Sequence, residues 1–371
     1  MAGIYIHIPL CKQRCIYCDF YSTQLSECAD DYVAAVVSEA AMRTNDDVIK
    51  TIYIGGGTPS QLTLAQLTRL VAGLRVSFDL SMVEEFTVEV NPDDVDSDYI
   101  CGLVDLGVNR VSMGVQSFVD EELHTINRRH DAGQAIDAIN NIRDAGIGNV
   151  SIDLIYGIPG QTVETWRKSV STAVGLGVEH LSAYNLTYEE GTPLWRMREA
   201  GKLKPVDDDT CVEMYKFLTE ILAGAGYEHY EISNFARPGF RSKHNSAYWN
   251  GPPYIGLGAA AHSYDGEVRS YNIASFHEYV KQINAGHLPS VNEDLQQWER
   301  YDEMVMVALR TADGLNLDLL SKRFPGDYLN HFLNEAQKHL TQGNLICREG
   351  RYVIPEDRWM VGDAVIRDLM W

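Results

Sequence analysis

Six short apolar runs rich in β-branched residues alternate with stretches of helical periodicity through the first half of the chain, and that rhythm leaves few folds open. The runs are 3–8, 51–54, 85–90, 110–113, 150–155 and 180–185. Helical patterns fall between them, among them 31–42, 64–74, 134–145 and 164–174. Strand and helix in alternation build a parallel sheet, because each crossover returns the chain to the same end. Six such units predict an α/β fold with a partial (β/α)6 barrel. A chain of 371 residues has length to spare for a smaller second module.

In barrels of this kind, chemistry gathers where the strands end. The first strand runs into Cys11, Cys15 and Cys18, spaced C-x3-C-x2-C. Three thiolates on one short loop can each take one iron of a cubane cluster, which leaves the fourth iron open to a small molecule. A structural zinc ion wants four ligands, and no fourth Cys or His follows at finger spacing. Zinc bound in another way and inert thiols stay open as alternatives. The other cysteines, Cys28, Cys101, Cys211 and Cys347, stand singly and read as ordinary thiols of a reducing compartment. His7, on the strand before the cluster, reads as a packing residue.

The later strands end in comparable punctuation. After the second come Gly55, Gly56, Gly57, Thr58, Pro59 and Ser60, and a triple glycine lets backbone amides approach a ligand's charged groups. Glu89 lies inside an apolar strand just ahead of Asn91 and Pro92, and a buried carboxylate is costly unless paired. The plain alternative is an ion pair satisfied within the core. The fourth strand runs into Gln116, Ser117 and Phe118, and the fifth carries Asp153 ahead of a Gly157-Ile158-Pro159-Gly160 turn.

Taken together and in this order, YIHIPLC, GGGTPS, EVNP, MGVQSF, NRRH and DLIYGIPGQT resemble the coproporphyrinogen dehydrogenase-like (HemN/HemW) family of radical S-adenosylmethionine (SAM) proteins. The resemblance implies a [4Fe-4S] cluster on Cys11, Cys15 and Cys18, with SAM chelating the open iron. It also implies SAM contacts from Tyr5, Gly56, Gly57, Thr58, Glu89, Gln116, Arg128 and Asp153. In that assignment Arg128 meets the SAM carboxylate, Glu89 its amino group, and Gln116 with Asp153 the ribose hydroxyls. The chemistry suits these roles, since a guanidinium pairs with carboxylate and side-chain acceptors suit ammonium and hydroxyl donors. Tyr17, between two of the cysteines, offers an aromatic face where adenine should lie, or else packs in the core.

Beyond residue 190 the alternation fades into a loop and one helical stretch at 209–223. His244-Asn245-Ser246-Ala247-Tyr248-Trp249 follows, an HNxxYW pattern similar to the haem-binding motif of the family's haem-chaperone branch. Imidazole is a good axial ligand for haem iron, and the two aromatic residues can cover a porphyrin face. On the residues alone, a histidine beside aromatics is more often structural. Arg237, Arg241 and Lys243 precede it and are candidates to meet the haem propionates. From about Gln296, helical patterns at 299–311, 316–324 and 328–341 and a hairpin of 345–347 with 352–354 predict a winged-helix-like α+β module. The family's C-terminal domain matches that description. The expected division is 1–190, the radical SAM partial-barrel core; 191–295, a barrel extension with the haem motif; and 296–371, the C-terminal module.

A formal net charge of -21 argues against nucleic acid and anionic membrane surfaces as general partners. No apolar run approaches spanning length and the N-terminus lacks a leader pattern, which predicts a cytoplasmic protein without a transmembrane segment. Two functions agree with the resemblance. A haem chaperone would bind cluster, SAM and haem and deliver haem to acceptor proteins, with an electron donor serving the cluster. A coproporphyrinogen III dehydrogenase would use the same cofactors for oxidative decarboxylation in porphyrin biosynthesis. Two departures favour the chaperone: Phe20 stands where the enzyme branch has a further cysteine, and only Met1 to Ile4 precede Tyr5, where the enzymes carry a substantial segment. Retained SAM residues suit both productive SAM cleavage and SAM as a gate on haem transfer.

Overall fold

A computed structural model describes residues 2–44 and 47–371. Met1 of the short lead-in therefore lies outside the described residues. Six parallel strands pair in chain order: β1 (Ala2–Ile8), β2 (Ile49–Gly56), β3 (Glu85–Val90), β4 (Arg110–Gln116), β5 (Val150–Tyr156) and β6 (His180–Asn185). The crossovers hold α1 (Ala29–Met42), α2 (Leu64–Ser77), α3 (Ser97–Leu106), α4 (Asp120–Thr125), α5 (Ala132–Asp144) and α6 (Val163–Leu176). Three of these helices start with reciprocal capping boxes, Thr63 with Gln66, Asp131 with Gln134 and Thr162 with Thr165. Each box satisfies amides that a helix start leaves unpaired.

Alternation along the strands separates two environments. Ile4, Ile6, Ile8, Ile52, Ile54, Val88, Ile152 and Leu154 are buried in the main hydrophobic core. The alternate set is polar and turned to the barrel interior: Tyr5, His7, Thr51, Tyr53, Glu85, Glu89, Ser151, Asp153 and His180. Thr51 bonds His244, Tyr53 bonds Glu89 and Ser151 bonds His180 across that interior.

The stretch after β6 builds more sheet than its faded alternation suggests. It contains α7 (Pro193–Glu199), α8 (Asp208–Gly224), β7 (Glu228–Glu231), β8 (Asn234–Ala236), α9 (Lys243–Asn250), β9 (Tyr254–Leu257), β10 (His262–Tyr264), β11 (Arg269–Asn272), α10 (Phe276–Asn284) and β12 (Ser290–Glu293). β9 pairs parallel with β1 and β8 antiparallel with β6, so a twelve-stranded sheet runs β12-β11-β10-β9-β1-β2-β3-β4-β5-β6-β8-β7. Both edges of the six-stranded core are thereby paired. The added strands are three or four residues long, too short for period-two alternation to register.

The C-terminal module has α11 (Gln297–Leu309), β13 (Leu315–Asn316), α12 (Leu317–Arg323), α13 (Asp327–Gln342), β14 (Ile346–Arg348), β15 (Arg351–Val353) and α14 (Gly362–Leu369). The three expected helices and the hairpin are present. β13 adds a third strand and α14 closes the module over a separate core of Tyr301, Leu309, Phe332 and Trp359. Among the described residues, no helix is long and apolar enough to cross a membrane.

Candidate functional site

The cysteine loop follows the C-terminal end of β1 and is held by its backbone. Cys11 N–H donates to Thr23 O at 2.9 Å, and Ile16 N–H to Ile126 O at 3.4 Å. All three thiols are half-buried. Cys11 Sγ lies 3.5 Å from Thr58 Oγ1, and Arg128 Nη1 donates to Cys15 Sγ at 3.3 Å. Burial pushes the Cys18 thiol up, and the nearby Cys15 and Cys11 thiols add to the effect. Among the described residues no three His, Cys, Asp or Glu side chains converge where a single metal ion would sit. A cubane, by contrast, takes each thiolate on a different iron. Tyr17 packs with Ile16 against the small cluster of Ile126, Ile155 and Ile158. Burial pushes its phenol far up, and the Cys15 sulfur beside it contributes.

The three glycines leave room rather than offer free amides. A Cβ on Gly55 would stand 3.0 Å from the Glu89 carboxyl carbon, and one on Gly56 2.5 Å from the His7 ring. Gly56 also sits at φ +109°, a conformation glycine adopts at little cost. Gly56 N–H donates to Glu89 Oε2 at 3.0 Å and Gly57 N–H to Ile8 O at 2.9 Å. These two amides are thus spent within the protein, and the expectation that they face a ligand gives way to this internal pairing. His7 packs as expected, bonded to Tyr5 OH at 2.9 Å and Tyr21 O at 3.1 Å.

Glu89 also accepts from Tyr53 OH at 2.6 Å. No cation is recorded in an ion pair with it among the described residues. Burial raises its carboxyl to about 7, held back by the Tyr53 hydrogen bond and raised further by Asp153. Asp153 is itself raised to about 6 by burial, opposed by a hydrogen bond from Ser182.

Arg128 and Arg129 follow one another but take different directions. Arg129 pairs with Asp93 at 3.0 Å and Asp94 at 3.1 Å, fixing the turn after β3. Arg128 points inward, where Nη2 donates to Asn91 Oδ1 at 2.7 Å and to Gly114 O. Its Nε is buried and has no hydrogen-bond partner among the described residues, a donor left for something else. Gln116, beside it at the end of β4, is buried at φ +69°, and a Cβ on Gly114 would meet Gln116 Nε2 at 2.8 Å. A non-glycine residue in the left-handed region carries strain that tends to gather at functional sites.

The SAM-assigned residues Gly56, Gly57, Thr58, Glu89, Gln116, Arg128 and Asp153 thus gather at the strand ends near the three cysteines, with Tyr5 one step deeper. A buried guanidinium N–H with no partner among the described residues, two buried carboxyl groups without a recorded ion pair and thiols on one loop fit a cluster with a zwitterionic amino-acid ligand. The sequence reading missed Tyr53 and Asn91 as supports. Counting by twos back from Gly55 places Tyr53 on the inward face.

His244 lies elsewhere. Glu85, the first residue of β3, accepts the Lys243 and His244 N–H groups, each at 2.9 Å. This pairing seats the start of α9 at the N-terminal ends of the strands, the end opposite the cysteines. The imidazole is 1% exposed and stacks on Tyr53 with ring centroids 5.1 Å apart. Nδ1 is 2.8 Å from Thr51 Oγ1 and Nε2 is 2.9 Å from Tyr248 OH. Burial lowers its pKa to about 3, and the Arg110 charge adds to this. Both ring nitrogens are therefore occupied in this structure. The cations before the motif are also engaged: Arg241 with Glu228 at 3.0 Å and Asp313 at 3.3 Å, and Lys243 with Glu84 at 2.8 Å. Arg237 lies over the Tyr227 ring at 5.5 Å.

Comparison with known proteins follows the same outline. The profile of the radical SAM superfamily matches residues 5–173, and that of the HemN C-terminal domain matches 295–358. The heme chaperone HemW of Lactococcus lactis subsp. lactis (strain IL1403) is 38% identical over 368 residues, 99% of this chain and 96% of its own length. The heme chaperone HemW of Bacillus subtilis (strain 168) is 35% identical over 353 residues, 93% of each chain. The solved structure of coproporphyrinogen III oxidase (HemN) from Escherichia coli, described as a radical SAM enzyme, superposes with a TM-score of 0.86. It covers 100% of this chain and 90% of its own at 23% identity, a likeness of fold.

Proposed function

Because the chain belongs to the HemW family of radical SAM proteins, we propose that it is a haem chaperone, with a [4Fe-4S] cluster and SAM as resident cofactors. The observation that carries this reading is 38% identity to a heme chaperone across 99% of the chain. Its partners are haem, the proteins that accept haem, and an electron donor for the cluster.

Cys11, Cys15 and Cys18 would hold the cluster, which supplies an iron open to a small-molecule ligand. Arg128, with its unpartnered Nε, pairs with the SAM carboxylate. Glu89 accepts from the amino group, and Gln116 and Asp153 take the ribose hydroxyls. Tyr5, Gly56, Gly57 and Thr58 complete the surroundings, and Tyr17 steadies the cysteine loop.

Haem is the cargo, and His244 is its proposed iron ligand. The nitrogen for that bond is Nε2, now held by Tyr248 at 2.9 Å. Giving up a hydrogen bond of this kind costs about 0.5–1.5 kcal/mol. Titrated with ferric haem, the parent should give a saturable change in the Soret band and pass haem to a haem-free acceptor protein. His244→Ala should bind more weakly and with a shifted spectrum. Equal affinity and spectrum would return His244 to a structural role, and a loaded parent that transfers no haem would sink the chaperone reading.

Phe20, at the position where the enzyme branch has a further cysteine, is 65% exposed. The expected result with reduced protein, SAM and coproporphyrinogen III is no decarboxylated product. Mono- or divinyl product formed in step with 5'-deoxyadenosine would reverse the choice between carrier and enzyme.

A further inference from the structure

A cleft of about 340 Å³ separates α9 and β9 from α11 and α12 of the C-terminal module. Tyr248 and Trp249 of the HNxxYW motif line one side, with Tyr254 beside them, and Met304 lines the other. Two apolar side chains of the lining stay open to solvent, Met306 at 38% and Leu319 at 43% exposure. Four arginines and two glutamates share this lining, an excess of two positive charges in a chain whose net charge is -21. Arg269 is taken by Glu293 and Glu303. Arg300 donates to Leu295 O, Arg323 to Tyr264 OH, and Arg351 to the Asp313 and Gly314 carbonyls. None of these three has a carboxylate partner among the described residues. Glu267 is the acidic member of the lining without a recorded ion pair among the described residues.

A broad aromatic and thioether lining with unneutralised guanidinium groups suits a flat apolar ligand that carries two carboxylates. We propose that haem docks in this cleft against Tyr248 and Trp249, with its propionates paired to two or more of Arg300, Arg323 and Arg351. The inference rests on the haem-chaperone reading and adds where the cargo lies and what holds its acidic edge. It moves the propionate contacts away from Arg241 and Lys243, which are spent on Glu228, Asp313 and Glu84. It also gives Tyr248 two parts in loading, because its ring lines the cleft while its hydroxyl holds the His244 Nε2 that must be released to reach the iron. The C-terminal module becomes half of the binding site rather than a separate appendage.

The test compares haem with haem dimethyl ester, which keeps the ring and iron but has no propionate charge. The full chain binds haem, and the double charge reversal Arg300→Glu with Arg323→Glu should weaken it about a hundredfold, as expected for two lost charge-assisted pairs. The ester should bind parent and variant alike, and more weakly than haem binds the parent. An unchanged melting temperature shows that the variant is folded. Arg351→Ala, measured on the same ligands, is the independent second variant and should weaken binding of haem alone by about tenfold, as expected for one lost pair. If the parent binds haem but both variants match it within about threefold, the cleft is wrong and the chaperone reading stands. If the parent binds no haem, both fall.

Discussion

Replacing any one of Cys11, Cys15 or Cys18 with alanine should abolish cluster assembly, while alanine at Cys28, Cys101, Cys211 or Cys347 should leave the iron content unchanged. The first three share one loop beside Thr58 and Arg128. The others are dispersed: Cys101 on α3, Cys211 buried on α8, Cys347 on β14 and Cys28 just ahead of α1. Removing one thiolate leaves two irons ligated where the cluster needs three. The loop itself should survive, because the Cys11–Thr23 and Ile16–Ile126 backbone bonds and the packing of Tyr17 do not depend on a thiol. Iron analysis, visible absorption and a thermal melt on each variant check this. Iron loss in Cys28→Ala would mean a fourth protein ligand. Stoichiometric zinc without iron in the parent would remove the cluster altogether.

The strands that carry the residues assigned to SAM were legible because they are parallel and aliphatic on their outer face, and because glycine and polar residues mark their ends. The HNxxYW stretch was legible as a motif but not as a place. His244 reaches the barrel through Glu85, 159 residues earlier in the chain, and nothing local signals that pairing. The partners of Arg241 lie 13 and 72 residues away and that of Lys243 lies 159 away, so a run that reads as free positive charge is neutralised in the fold. Gln116 gives no sign in sequence of its left-handed backbone, since a one-residue bulge in the register with β5 produces it. Arg300, Arg323 and Arg351 come from α11, α12 and β15 and meet α9 only when the module packs against it.

SAM-free protein should lose stability as pH rises from about 4.5 to 7, and Glu89→Gln should remove the part of that loss that Glu89 causes. Burial raises the folded carboxyl to about 7 from an ordinary value of 4.5, so the folded state holds a proton that the unfolded chain has released. Stability falls with pH wherever the folded state binds more protons. The contribution is therefore complete below 4.5, declines through the window and is gone above 7. A shift of this size corresponds to about 3 kcal/mol. Glutamine does not titrate, so the stability of the variant relative to the parent should rise by about that amount between pH 4.5 and 8. Asp153 titrates in both proteins and largely cancels in the difference. Denaturant melts across this range supply the measurement, and parallel profiles would mean that Glu89 is already ionised and neutralised within the protein. On the proposed role of Glu89, the ammonium group of SAM would supply the missing counter-charge. SAM should then stabilise the parent more than it stabilises Glu89→Gln at pH 8, with the variant's affinity lower by about one to two decades.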